Sequence, residues 1–275
     1  NGGTLSIQGS NVGDSALRFI AGRDSSGSSL GFENTSLWSM AIKGNFLYIG
    51  KSGGTTACSQ SRGSTGASNC ELQVYDISSS TNPLYVAGRD SSGSATGIGA
   101  ATIFAVTIVG NYLFVAKDGS ATTCSQNAGS AVGCELMVFD ISSSTNPVYR
   151  AGRDASGSTN GNKSVSGYAL AVSGNYLFLG KAASSTACSQ TINTVGSAAC
   201  ELTVFFFFSS TVPTYKAGRD ASGDSSGVVA VDIYSLVLSN TTLYAGKVGN
   251  TTACSQSAGS AIGCELMVFD ISSST

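Results

Sequence analysis

CELMVFDISSSTNPVYRAGRD, from Cys134 to Asp154, is the stretch whose reading decides the fold, because the chain repeats it. It returns as CELQVYDISSSTNPLYVAGRD from Cys70 to Asp90 and, altered, as CELTVFFFFSSTVPTYKAGRD from Cys200 to Asp220. A further copy, CELMVFDISSST, runs to Thr275, and a match for its second half, ALRFIAGRD, lies at the other terminus from Ala16 to Asp24. AGRD begins at Ala21, Ala87, Ala151 and Ala217, in steps of 66, 64 and 66 residues, so the deeper period is 130. Fixed spacing of this kind marks a repeat architecture in which each unit is one supersecondary element.

Each unit reads as four strands. The first alternates large and mostly small residues: Trp38, Met40, Ile42; Phe104, Val106, Ile108; Tyr168, Leu170, Val172; Tyr234, Leu236, Leu238. A Gly-Asn hairpin signal follows at Gly44, Gly110 and Gly174, with Asn240-Thr241 in the fourth unit. The second strand ends at Lys51, Lys117, Lys181 and Lys247, the third begins after a cysteine-flanked loop, and the fourth follows the Asn-Pro turn. No 3.6-residue apolar period occurs. The expected fold is therefore all-β: a four-bladed β-propeller of four repeats of about 65 residues, each of four antiparallel strands. The N-terminal strand is expected to complete the last blade, within the chain or, in the runner-up arrangement, in the next molecule of a filament. Residues 1–13 form an N-terminal extension with one alternating stretch, TLSIQ. Residues 14–275 form a single propeller domain, with units at about 25–90, 91–154, 155–220, and 221–275 plus 14–24.

The segments LQVYDISSSTNPLYVAG and LMVFDISSSTNPVYRAG resemble the LVIVD repeat, in which an apolar strand ending in Asp-hydrophobic-Ser leads through a Pro-containing turn to a further strand. That resemblance implies a secreted or cell-surface propeller and says little about chemistry. The cysteine loop lies outside the pattern, and the third unit departs from it.

Composition narrows the function. Only 11% of residues are charged, and the net charge is -2. No basic stripe is present to neutralise phosphates, so nucleic acid is not expected as a partner. No apolar run reaches the length of a membrane helix. The sequence opens at Asn1 with neither a Met nor a basic, apolar leader, which a cleaved signal segment and an internal start explain equally.

Eight cysteines flank the Ser/Gly/Ala-rich loops: Cys58 and Cys70, Cys124 and Cys134, Cys188 and Cys200, Cys254 and Cys264. There is no His and no tight C-x2-C pair, so four local disulfides are expected rather than a metal site, and with them an extracellular, oxidising location. Without His, the Ser-His-Asp and Cys-His arrangements cannot be built. The isolated acids Asp14, Glu33, Asp118, Asp224 and Asp232 show no motif that pairs two of them for glycoside hydrolysis. DSSGS after Arg23 and Arg89 has the oxygen-rich look of a calcium loop but lacks its run of carboxylates, so an Asp/Ser/Gly turn is the expectation, with no cofactor.

The recurrent Lys, Glu and Arg-Asp positions occur four times, as structural groups do and catalytic centres do not. A Lys to Glu cross-strand pair in each hairpin is expected, with Arg or Asp tying one blade to the next. Asn34, Asn162, Asn240 and Asn250 open acceptor sequons for glycans. Leu5 and Ile7 of the extension and the run Phe205, Phe206, Phe207 and Phe208 are candidate assembly contacts. The expected function is that of a non-catalytic extracellular structural protein, a self-assembling surface or fibre subunit. The alternative is an adhesive propeller that binds carbohydrate or ions.

Overall fold

A computed structural model of the chain describes residues 19–29, 35–208, 212–257 and 259–272. These form four antiparallel sheets in simple meander order. The first holds β1 (Leu37–Lys43), β2 (Phe46–Lys51), β3 (Leu72–Asp76) and β4 (Leu84–Arg89). The second holds β5 (Ile103–Val109), β6 (Tyr112–Lys117), β7 (Leu136–Asp140) and β8 (Val148–Arg153). The third holds β9 (Gly167–Ser173), β10 (Tyr176–Lys181), β11 (Leu202–Phe206) and β12 (Thr214–Arg219). The fourth has three strands among the described residues: β13 (Ile233–Ser239), β14 (Thr242–Lys247) and β15 (Leu266–Asp270). The arrangement is four-bladed and propeller-like.

Local chemistry sets each blade. At the first hairpin turn Gly44, Gly110 and Gly174 hold φ of 57°, 56° and 56°, and Asn240 takes their place at 53°. A positive φ at the first turn residue matches the twist of the strands it joins, and Asn tolerates it better than other side chains. The doubled period also has a structural cause. The longer cysteine loops carry a single α-turn, Thr65–Ser68 and Val195–Ala198, and the shorter ones a 3-10 turn, Ala131–Gly133 and Ala261–Gly263. Disulfides join Cys58–Cys70, Cys124–Cys134, Cys188–Cys200 and Cys254–Cys264 across these loops.

The first strands run side by side around the axis, β1 against β5, β5 against β9 and β9 against β13. One sheet packs on the next through three apolar cores. Tyr48, Leu72 and Val74 of the first blade meet Val106, Met137 and Phe139 of the second. Phe114, Leu136 and Val138 meet Leu177, Leu179 and Phe205, and Phe178 and Leu202 meet Leu243 and Met267. No comparable cluster joins the fourth blade to the first among the described residues.

The N-terminal AGRD segment is placed differently from the expectation that it completes the fourth blade. Residues 19–24 carry no strand, and β15 has no neighbour on its outer side among the described residues. The segment lies instead against the first blade, where Ala21 to Ser25 border a hollow floored by Leu47, Ile49, Gln73 and Tyr75. Residues 16–18 and the extension 1–13, with Leu5 and Ile7, lie outside the described residues.

Candidate functional site: the open seam between the last and first blades

Burial identifies a seam. Leu72, Leu136 and Leu202 are 0%, 1% and 3% exposed at one repeat position, yet their counterpart Leu266 is 61% exposed. Val74 and Val138 are fully buried, and their counterpart Val268 is 58% exposed. On the facing side, Leu37, Met40 and Ile42 of β1 are all more than half exposed, whereas Ile103 and Val106 of β5 are buried. Several large apolar groups exposed together on matched faces mark an interaction surface.

The N-terminal segment belongs to this seam. At the junction of the first two blades, Arg89 Nε donates to Pro147 O at 2.7 Å, and its guanidinium reaches Asn146 Oδ1. Arg23 repeats this on the first blade, donating Nε to Pro83 O at 2.9 Å and a second nitrogen to Asn82 Oδ1. Gly63 N donates to Ser26 O just as Gly129 N donates to Ser92 O. Residues 23–26 thus dock as the end of a fourth strand does, without the blade that this strand would complete. Phe19, at the position of the buried Tyr85, Tyr149 and Tyr215, is 83% exposed.

A second device distinguishes the fourth blade among the described residues. In the first three blades a Gln two residues after the first Cys grips the Gly of AGRD by both amide bonds. Gln60 Nε2 donates to Gly88 O at 3.1 Å and Gly88 N to Gln60 Oε1 at 3.0 Å. Gln126 holds Gly152 and Gln190 holds Gly218 in the same way. Gln256 has no such glycine; among the described residues it reaches only Cys254 Sγ, at 4.0 Å. A groove of about 260 Å³ lined by Gln256, Cys264 and residues 266–269 runs along this edge. A Cβ on Gly88 would come within 2.5 Å of Cys70 Sγ, and one on Gly152 or Gly218 would meet Cys134 or Cys200 equally closely, so only Gly fits against the disulfide. On Gly22 a Cβ would meet, among the described residues, only the exposed Phe19 ring, at 3.1 Å.

Among the described residues the recurrent Lys and Glu side chains bond to backbone groups, and Lys117 and Lys181 also lie in the fields of Glu135 and Glu201. Lys181 Nζ donates to Ala155 O and Ala198 O, both at 2.7 Å, and Lys247 Nζ to Ala221 O, Ala261 O and Ile262 O. The ammonium thus ties the carbonyls of the short helical turn to the carbonyl that follows AGRD, Ala155 O or Ala221 O. The carboxylates take backbone N–H groups: Glu71 from Gly54 and Ser91, both at 2.8 Å, and Glu201 from Ser184 and Ala221, both at 3.0 Å. Burial pushes Glu71 up to about 8 against the pull of those donors, and it lowers Lys181 to about 7.

Asp24, Asp90, Asp154 and Asp220 each fold a turn, with Oδ1 accepting from the backbone of the residues two and four further on. No group of three or more His, Cys, Asp or Glu that could hold a metal ion occurs among the described residues.

The Phe run divides between core and surface. Phe205 and Phe207 are 1% and 7% exposed inside the core between the second and third blades, so they are not assembly contacts, because alternation turns both inward. Phe208 is 62% exposed and stacks on Phe206, over which Lys216 lies at 5.4 Å. Asn162 and Asn240 are exposed and Asn250 is half-buried, while Asn34 lies outside the described residues. No described helix is long and apolar enough to cross a membrane.

The LVIVD repeat matches residues 36–55, the hairpin of β1 and β2, rather than the DISSSTNP segment that carries the resemblance in the sequence. The chain is similar to two computationally designed proteins of known structure, each at 13% identity. Ika4 aligns over 93% of this chain and 99% of its own, with a TM-score of 0.43. Ika8 aligns over 87% of this chain with a TM-score of 0.42, and the match spans 47% of the Ika8 chain. No curated protein matches.

Proposed function

We propose that the protein is a non-catalytic, secreted structural subunit that assembles head to tail, the fourth blade of one copy receiving residues 16–24 of the next. The observation that carries this reading is that, among the described residues, Gln256 is a grip without its glycine and Gly22 a glycine without its grip. Strand addition satisfies the unpaired backbone of β15 and covers Leu266 and Val268 in one step. Residues 14–275 act as one propeller domain, and the four disulfides fit an oxidising, extracellular site of use. Because donor and acceptor are different surfaces, the contact is heterologous, and where its rotation does not close into a ring it repeats as a fibre.

Gly22→Ala tests the reading. In the isolated chain the new methyl meets only the movable Phe19 ring, whereas in the assembled seam it would fall on the Cys264 sulfur. The variant is expected to fold and melt as the parent does while remaining monomeric at concentrations where the parent polymerises, as read by light scattering. Polymerisation equal to the parent would overturn the strand-addition geometry.

A further inference from the structure

Four aromatic side chains, one from each blade, face one another at the start of the innermost strands. Trp38, Phe104, Tyr168 and Tyr234 line a cavity of about 480 Å³, within the roughly 300–1,000 Å³ of small-ligand sites. Successive ring centroids are 5.2, 4.9 and 4.7 Å apart, and the first two pairs meet edge to face at 74° and 79°. The walls therefore turn around the axis instead of stacking flat. Trp38 and Tyr234 are 54% and 53% exposed, an unusual amount of uncovered aromatic surface inside a concave site.

The rim of this cavity is acidic. Asp118 accepts from Ser166 Oγ and Thr102 N, both at 3.2 Å; Asp232 accepts from Tyr234 Oη at 2.7 Å and Ala183 N at 2.6 Å. Neither acid belongs to the repeat. The positions equivalent to Asp118 are Ser52, Ala182 and Val248, and those equivalent to Asp232 are Ser36, Thr102 and Ser166. Two carboxylates thus stand beside the cavity's tyrosines in a chain otherwise poor in charge, and no Lys or Arg among the described residues lines the cavity. The hydrogen bond to Asp232 pushes the Tyr234 phenol up to about 12, and the Tyr168 phenol is raised by burial and then by both carboxylates.

We infer that the axial cavity binds a small organic ammonium ion, its alkyl groups against the four rings and its charge balanced by Asp118 and Asp232. Aromatic faces carry negative potential and attract such cations, and nearby carboxylates strengthen the preference over a neutral ligand of the same shape. All four rings belong to one chain, so the site does not depend on assembly.

Trp38 is the only tryptophan in the sequence, so tryptophan emission, excited beyond the absorption of the ten tyrosines, reports on the cavity. Titrating the full chain with choline is expected to give a saturable change. The neutral isostere 3,3-dimethylbutan-1-ol is expected to bind at least tenfold more weakly, and the Asp118→Asn, Asp232→Asn double variant to erase most of that difference. The proposal is overturned if choline gives no saturable response, or if the alcohol binds the parent equally well. It is also overturned if the double variant, its fold verified by circular dichroism, keeps the parent's selectivity.

Discussion

Glu71 is fully buried, and its carboxyl is held up at about 8 because lost hydration outweighs the two N–H groups donated to it. An acid whose folded pKa lies above its unfolded value binds more protons when folded, so the stability it contributes is full at low pH and is lost as pH rises through the folded value. The chain is therefore expected to melt at a higher temperature at pH 5 than at pH 8, and Glu71→Gln to flatten that slope. Melting curves across this interval check it; a slope unchanged in the variant would assign the effect to other groups. The sequence marks Glu71 and Lys51 as recurrent and structural, and it places them on adjacent strands, where Lys51 N donates to Glu71 O. It does not reveal that Lys181 and Lys247, at the same position, turn to the carbonyls of a helical turn, because that turn lies within the Ser/Gly/Ala-rich loop, which carries no helical period.

At the scale of one strand, β11 shows what alternation can and cannot decide. A period of two puts Phe205 and Phe207 on one face and Phe206 and Phe208 on the other, and this is legible in the chain. Which face is covered depends on the neighbouring blade, whose Phe114 ring meets Phe207 at 4.9 Å. Phe207→Ala is expected to cost about 3–5 kcal/mol, the usual range for emptying a buried aromatic site, whereas Phe208→Ser should change stability by no more than about 0.5 kcal/mol. Denaturant unfolding of the two variants checks this, and equal losses would contradict the assigned faces. The same limit applies to Trp38, Phe104, Tyr168 and Tyr234. Each reads as the first large residue of an inner strand, but their meeting at one cavity depends on radial packing that no single unit encodes.

For the molecule as a whole, three junctions between blades are sealed, while among the described residues the fourth position has the parts of a junction without the contact. AGRD already docks on the first blade through Arg23, and β15 already presents Gln256 and the disulfide that an incoming glycine would meet. The repeat boundaries, the four sheets and the strand order all follow from the spacing of CEL, DIS and AGRD. The open seam does not, because spacing shows which segments repeat and not which of them meet in space. Negative-stain electron micrographs of the purified chain, taken over a range of concentrations, test this most directly. Head-to-tail joining predicts unbranched fibres with an axial repeat of one propeller, and particles that stay uniformly single and ring-shaped at every concentration would contradict it.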